Sequence, residues 1–345
     1  MTISRASDAV GQDRQPIPNR RSVRSVSRGD LLQLGERFGL VLFLLSVIAL
    51  FSIMHPDTFA TEANWRVIVS SQAVTLVVAL ALMIPLLSNN FDLSVGSVAG
   101  MSAMLAAGVM ARNHWSLLVA CFVVLVLGMT IGLFNGLLVT KLGLNGLIAT
   151  LGTSTILDGA LSWYSKNLSI SYGISDGLVE FGTKTIAGLP WLAAVAVIIA
   201  ALVAYVVTQT PVGRKLVAIG SSSPAARLVG IRVDAIVLGS YVISGILGAG
   251  AGILLLAQQG SASPGANGIS FLLPALAAVF LGASTWRPGQ FKVMGTILGL
   301  LLVAITVSGF TLSGAASWVN SVCYGAALIV AVGASAWFRR RRTGA

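Results

Sequence analysis

The sequence predicts an all-α integral membrane bundle of about ten transmembrane helices, with both termini in the cytoplasm. Three observations carry that expectation. Only 10% of the 345 residues are charged and 56% are hydrophobic, and the mean hydropathy is +0.89; soluble domains carry about 25% charged residues. Apolar runs approaching ~20 residues, the length that crosses a hydrocarbon core of about 30 Å, recur ten times along the chain. Lys and Arg are also distributed very unevenly among the connections, as orientation in a membrane requires.

The ten runs lie at 34–54, 65–88, 92–111, 115–140, 145–164, 190–209, 234–257, 271–285, 292–311 and 318–338. Ahead of the first comes a Ser/Arg/Pro-rich tail, 1–30, whose composition fits a disordered cytoplasmic segment. It resembles a targeting peptide only superficially, because no small-residue cleavage site follows the first run. The third run opens on polar residues at the junction "SNNFDLS", and the eighth is short enough for a re-entrant or broken segment. The connection 165–189 has room for a short helix or a hairpin. One transmembrane domain, 31–338, thus contains a long cytoplasmic loop at 210–233 and is followed by a basic cytoplasmic tail, 339–345. No internal repeat relates early and late runs.

With the N-terminus inside, only Arg66, Arg112, Lys166 and Lys184 of the 22 Lys and Arg fall outside. The net charge of +11 is therefore explained by topology. No basic groove interleaved with aromatics points to nucleic acid. All seven tryptophans (Trp65, Trp115, Trp163, Trp191, Trp286, Trp318 and Trp337) fall at run ends, where amphipathic rings anchor at the headgroups. Glycines at fourfold spacing (Gly96 and Gly100; Gly128, Gly132 and Gly136; Gly248 and Gly252; Gly295 and Gly299) make smooth stripes for close helix approach, as in a tight bundle without a large aqueous pore. Cys121 and Cys323 lie inside runs and read as small buried hydrophobes. His55 and His114 sit at outer run ends and read as solvated interfacial side chains. Nothing asks for a metal or a cofactor.

Several chemistries are excluded. A phosphate loop needs Gly-Lys-Ser/Thr, and none of the five lysines follows a glycine. Neither HExxH nor GxSxG occurs. An intramembrane enzyme has few acid–base groups to work with, which leaves transport. Intramembrane acids mark transport pathways because each costs roughly 2.5–3.5 kcal/mol to insert. Two qualify here. Asp92 lies where the second run meets the third, as a candidate N-cap accepting from the amides of Ser94 and Val95 and also as a pathway residue in an interrupted helix. Asp158 lies toward the outer half of the fifth run. Two acids with no cation beside them support ion coupling poorly.

A transporter with no engine of its own needs one from a partner. Gly213 to Val233 reads "GRKLVAIGSSSPAARLVGIRV", with Arg214, Lys215, Arg227 and Arg232 and no acid. Pro224 to Gly230 forms about two helical turns behind a possible cap at Ser223. The small residues Ala225 and Ala226 suit a cleft on a partner with Arg227 at its rim, and Gly230 suits a left-handed helix stop.

Four stretches in order resemble one family. "FDLSVGS" (Phe91 to Ser97), "GLIATLGT" (Gly146 to Thr153), "GRKLVAIG…AARLVGI" and "GILGAGAGILLLAQQGSASPGANG" followed by "LPALAAVFLGAS" are similar to the membrane-spanning permease subunits of bacterial ABC importers, of the ribose/xylose/arabinose monosaccharide type. The likeness runs from about residue 65 to the C-terminus. Three positions depart from the family's pattern. Ser221 to Ser223 and Pro224 stand where Gly-Asn-Glu is usual, Asp158 where an arginine is frequent, and "TWRPGQF" where a glycine-rich loop is usual.

The resemblance implies a second permease copy beside this one, a cytoplasmic ABC ATPase, an extracytoplasmic sugar-binding protein and residence in the bacterial inner membrane. It implies no enzyme activity and no cofactor in this chain, since ATP is used by the partner. It marks Asn90, Asp92, Ser94, Asn145, Thr150 and Asp158 as candidate pathway residues. For coupling to the ATPase it marks Gly213, Arg214, Ala225, Ala226, Arg227 and Gly230. The substrate class it implies is a monosaccharide or similar small polyol. Alternatives are the same machine carrying a nucleoside, a signalling furanone or a branched-chain amino acid, or an ion-coupled carrier.

Overall fold

Each of the ten apolar runs coincides with a helix over its described residues. The computed structural model describes residues 28–186, 188–265, 268–283 and 290–343. The tail 1–27 and the expectations at Trp286 and Arg287 lie outside the described residues. The long helices are α1 (Arg28–Met54), α2 (Glu62–Leu86), α3 (Val95–Asn113), α4 (Leu117–Thr140) and α5 (Gly146–Ser165). After the short α6 (Asp176–Thr183) and a hairpin of β1 (Thr185–Ile186) and β2 (Leu189–Pro190) comes α7 (Trp191–Gln209). Two short helices, α8 (Pro211–Ser221) and α9 (Ser223–Leu228), precede α10 (Val233–Gln259), α11 (Gly268–Ala283), α12 (Val293–Leu312) and α13 (Trp318–Thr343). The 165–189 connection therefore holds both a helix and a hairpin. The backbone of Arg339 to Arg342 falls in the last turns of α13.

Polar caps start several of these helices. The side chains of Thr61, Asn145 and Thr210 accept from the amides of Asn64, Leu147 and Gly213, as oxygen-bearing N-caps do. Six helices among the described residues, α2, α3, α4, α7, α10 and α12, are long and apolar enough to cross a membrane. The protein is an all-α, multi-pass membrane protein.

α2 is the central helix, buried continuously from Ala73 to Leu86 and packed against α7, α10, α11 and α12. A second apolar cluster joins α1 and α13 to α11 and α12 through Leu44, Phe51, Leu281, Ile305 and Ala331. α4 and α7 turn large side chains such as Leu118, Phe122, Ile198 and Leu202 outward, which suits lipid on that side. On the face opposite α8 and α9, Ile170 and Ala262 exchange two backbone hydrogen bonds of 2.9 Å.

The glycine stripes sit where backbones meet. A Cβ at Gly128 or Gly132 of α4 would collide with the carbonyls of Gly245 and Tyr241 of α10, and one at Gly252 with that of Ala99 on α3. Gly152 on the outer face of α5, by contrast, faces open space. Gly128→Ala should therefore push α4 from α10 and cost about 1–3 kcal/mol by overpacking. Gly152→Ala should be neutral or stabilising, since alanine is the better helix former by about 1 kcal/mol. Thermal unfolding of the two purified variants checks the contrast.

Candidate functional site

α2 does not run on into α3. Residues 87–94, "LSNNFDLS", interrupt the path, beginning with a tight turn in which the amides of Ser88 and Asn90 both donate to Pro85 O at 2.9 and 3.1 Å. Asn89 takes φ +60 there, a left-handed conformation that asparagine tolerates. Peptide groups released from a helix inside protein need other partners. Two neighbouring helices supply them. Thr150 of α5 accepts the Leu93 amide at 2.9 Å and Tyr241 of α10 donates its hydroxyl to Phe91 O at 3.0 Å. The Phe91 ring stacks on Phe280 of α11 at 6.5 Å.

Asp92 is the node of this segment and is 1% exposed. Its Oδ1 accepts from the Ser94 amide at 3.1 Å and the Ser94 hydroxyl at 2.6 Å, and its Oδ2 accepts from Ser244 Oγ at 2.7 Å. The network continues outward: Asn135 Nδ2 donates to Ser94 Oγ at 2.8 Å, and Thr153 Oγ1 donates to Asn135 Oδ1 at 2.7 Å. No cation pairs with the carboxylate among the described residues; hydroxyl and amide donors alone compensate its burial. The expectation that Asp92 caps α3 through Ser94 and Val95 is corrected here. α3 begins at Val95 and its N-cap position is Ser94, two residues after Asp92, so of the two expected contacts Asp92 makes the one to the Ser94 amide.

The other candidates are only partly gathered. Ser94 and Thr150 belong to the node, and Asn90, half-buried, donates to Ser88 O and Ser88 Oγ at its edge. Asn145 is exposed and spends its side-chain oxygen capping α5. Asp158 lies two helical turns beyond Thr150, about 12 Å along the axis, and accepts from the Gly268 amide at the start of α11 at 3.4 Å. Between them, Ser154 bonds Ser97 of α3 at 2.7 Å. Thr150, Ser154 and Asp158 thus form a polar column on one face of α5, since residues four apart share a face. Asn135, Thr153, Ser154, Tyr241 and Ser244 join these candidates, and none of them carries a charge that marks it in the sequence. The polar residues within otherwise apolar runs were the available signal.

At the α8–α9 end a cavity of about 500 Å³ lies beside the interrupted segment, lined by Ser88, Asn89, Asn90, Ser222, Arg227 and Asp234 among others, while Gly220 of α8 packs directly on the backbone of Leu87. α9 keeps part of its expected form. Gly230, at φ +80, ends it, but the cap is Ser222 and not Ser223: Ser222 Oγ accepts the Ala225 amide while Ser223 already belongs to the helix. Ala225 is exposed. Ala226 is 4% exposed and packs with Ile219, Val233, Val237 and Tyr241 of its own chain. It therefore does not project toward a partner. Arg227 is held by Asp234 at 2.6 Å. Gly213 is buried in the α7–α8 corner against Val207, and Arg214 is exposed. The groups α9 does offer outward are Leu228 and Val229, 89% and 76% exposed. No group of three or more His, Cys, Asp or Glu that could hold a metal ion occurs among the described residues.

Residues 66–332 match the family model for the branched-chain amino acid transport system / permease component. The chain belongs to that permease family. Among curated proteins, this permease is 32% identical over 292 residues to a ribose import permease of Haemophilus influenzae, covering 84% of this chain and 90% of the relative. It is 28% identical to a D-allose transport system permease of Escherichia coli, over 86% of this chain and 90% of the relative. An autoinducer 2 import permease of Photorhabdus laumondii is 30% identical over 87% of this chain and 89% of its own length. No solved structure matches the permease.

The Asp92 node yields a graded expectation. Asp92→Asn keeps an oxygen for Ser94, and its amide can donate to Ser244 Oγ. Asp92→Ala strands three buried donors, each worth about 1–3 kcal/mol when left unpaired. Detergent-solubilised Asp92→Ala should therefore unfold at clearly lower temperature than Asp92→Asn.

Proposed function

We propose that this permease is the membrane-spanning subunit of a bacterial ABC importer that brings a monosaccharide or similar small polyol into the cytoplasm. A separate ATPase powers it and an extracytoplasmic binding protein delivers the solute. In this reading ten helices span the inner membrane with both termini in the cytoplasm, and two copies pair. The exposed face of α5 bearing Leu151, Gly152 and Ile156 is a surface a second copy can meet. Asn90, Asp92, Ser94, Thr150 and Asp158 border the translocation path, and Asn145 supports it only by starting α5.

One observation carries the coupling assignment. α9 is seated on its own protein through Ala226 while it presents two adjacent aliphatic side chains, Leu228 and Val229, to solvent. The cations Arg214, Lys215 and Arg232 share that loop, which fits the cytoplasmic side under the positive-inside rule. An exposed apolar knob on a cytoplasmic loop asks for a partner that buries it.

The substrate class rests on the ribose and allose relatives. The autoinducer 2 relative, equally extensive, favours a second reading in which the same machine carries a different small polar solute. The ligand held by the cognate binding protein separates the two.

The test is assembly. The purified chain alone should turn over no ATP, and robust hydrolysis free of contaminating ATPase contradicts the reading. The double variant Leu228→Asp, Val229→Asp should accumulate normally yet lose its ATPase on co-purification. Burying each aliphatic side chain is worth about 1.5–3 kcal/mol, and 1.4 kcal/mol is tenfold in affinity, so binding should weaken about 100-fold or more. Wild-type retention of the ATPase by this variant removes α9 as the docking element.

A further inference from the structure

One face of α10 carries four contacts in order. Asp234 in its first turn accepts from Arg227 of α9 at 2.6 Å. Val237 packs in the buried cluster with Ala226 of α9 and Ile219 of α8. Tyr241, 0% exposed, belongs to the same cluster and donates its hydroxyl to Phe91 O at 3.0 Å. Ser244 donates to Asp92 Oδ2 at 2.7 Å. Spacings of three, four and three residues hold these side chains on one helical face. Ten residues of α-helix make that face about 15 Å long. It therefore reaches from the docking helix to the interrupted segment without a gap.

Of the four, Tyr241 both belongs to the cluster that seats α9 and bonds the interrupted segment. It shares that buried cluster with Ala226 of α9, and its hydroxyl holds the carbonyl of residue 91, whose chain neighbour is Asp92. A Cβ on Gly146 would come within 2.5 Å of that hydroxyl, so the first turn of α5 closes over it as well. A shift of α9 transmitted to α10 therefore alters the hydrogen bond at Phe91 O directly, while a Phe ring in the same place would keep the packing and lose the bond.

We propose that Tyr241 is the positioning residue through which the seat of α9 sets the conformation of segment 87–94, with the Arg227–Asp234 pair tethering α9 to the helix that carries it. This rests on the reading of α9 as the ATPase docking element. The tether is exposed on both sides, at 59% and 44% of the side chains, so it contributes little to stability and its exchange leaves the fold intact. Its role is geometric: it fixes the angle at which α9 meets α10.

The experiment uses the full chain with its ATPase and binding protein in lipid nanodiscs. Cys121 and Cys323 are replaced by Ser and a single reporter, Ser88→Cys, is placed in the buried turn beside the cavity. Maleimide labelling of the reporter is measured with and without ATP plus vanadate, and ribose uptake per ATP is measured in liposomes. With Tyr241 present, labelling should depend on nucleotide. Tyr241→Phe should keep the ATPase bound and hydrolysing while the reporter loses its nucleotide dependence and solute moved per ATP falls about 2- to 30-fold, the range that coupling substitutions produce.

Asp234→Arg should do the same, and Asp234→Arg combined with Arg227→Asp should restore the response. A Tyr241→Phe protein that responds to nucleotide like wild type overturns the inference, as does a charge exchange that restores nothing. If Tyr241→Phe does not accumulate, the charge exchange decides alone. Failure of the wild-type chain to bind any ATPase strikes the functional reading instead, and the labelling arm needs no knowledge of the solute.

Discussion

A polypeptide that leaves helical geometry inside apolar surroundings must find a protein partner for every peptide group it frees. Segment 87–94 is where this permease meets that constraint, and much of the bundle is arranged around it. Thr150 answers the Leu93 amide, Tyr241 answers the Phe91 carbonyl, and Ser94 and Ser244 answer Asp92. Each of those side chains must come within hydrogen-bonding distance, so α5 and α10 must approach closely. Gly132 lets α4 rest on the backbone of α10 at Tyr241, which brings Asn135 of α4 within reach of Ser94. The glycines and the hydroxyls are two parts of one solution.

At the α8–α9 end the labour is divided within six residues. Ala226 faces inward and fixes α9 to α8 and α10, whereas Leu228 and Val229 face outward. The proposed docking role needs both. Without the buried seat, force from a partner would bend the loop instead of moving the bundle. Without the exposed pair the partner would have only solvated charges to hold, and such contacts are worth little. Gly230 lets the chain turn sharply after α9 and enter α10 at Val233.

Much of this was legible in the sequence. The ten apolar runs are ten helices, and Gly230 ends α9 where its residue type suggested, because these features follow from local composition and backbone sterics. The interior of the candidate site was less accessible. Asp92 is conspicuous as an acid in an apolar setting, but its partner Ser244 lies 152 residues away, and no local pattern marks it. Ala226 was assigned to a partner's cleft because a six-residue helix leaves its buried face undecided in sequence; packing on Val237 decides it. The basic stretch appeared to lack an acid only because Asp234 falls one residue beyond it. Asn135 and Tyr241 were passed over because an uncharged polar residue in an apolar run is common and becomes informative only when its neighbours are known.

The distance in sequence between Asp92 and its partners also gives the node a place in the life of the chain. At about 5–20 residues per second during synthesis, the 152 residues that separate Asp92 from Ser244 take roughly 8–30 s to appear. Asn135 and Thr150 emerge first and Tyr241 near the end. For that interval the α2–α3 pair exists without the helix that completes its hydrogen bonding, so a carboxylate and a freed carbonyl wait on water, headgroups or the insertion machinery. α10 thus completes the hydrogen bonding of the node, and the early helices reach their final arrangement only after most of the protein has been made.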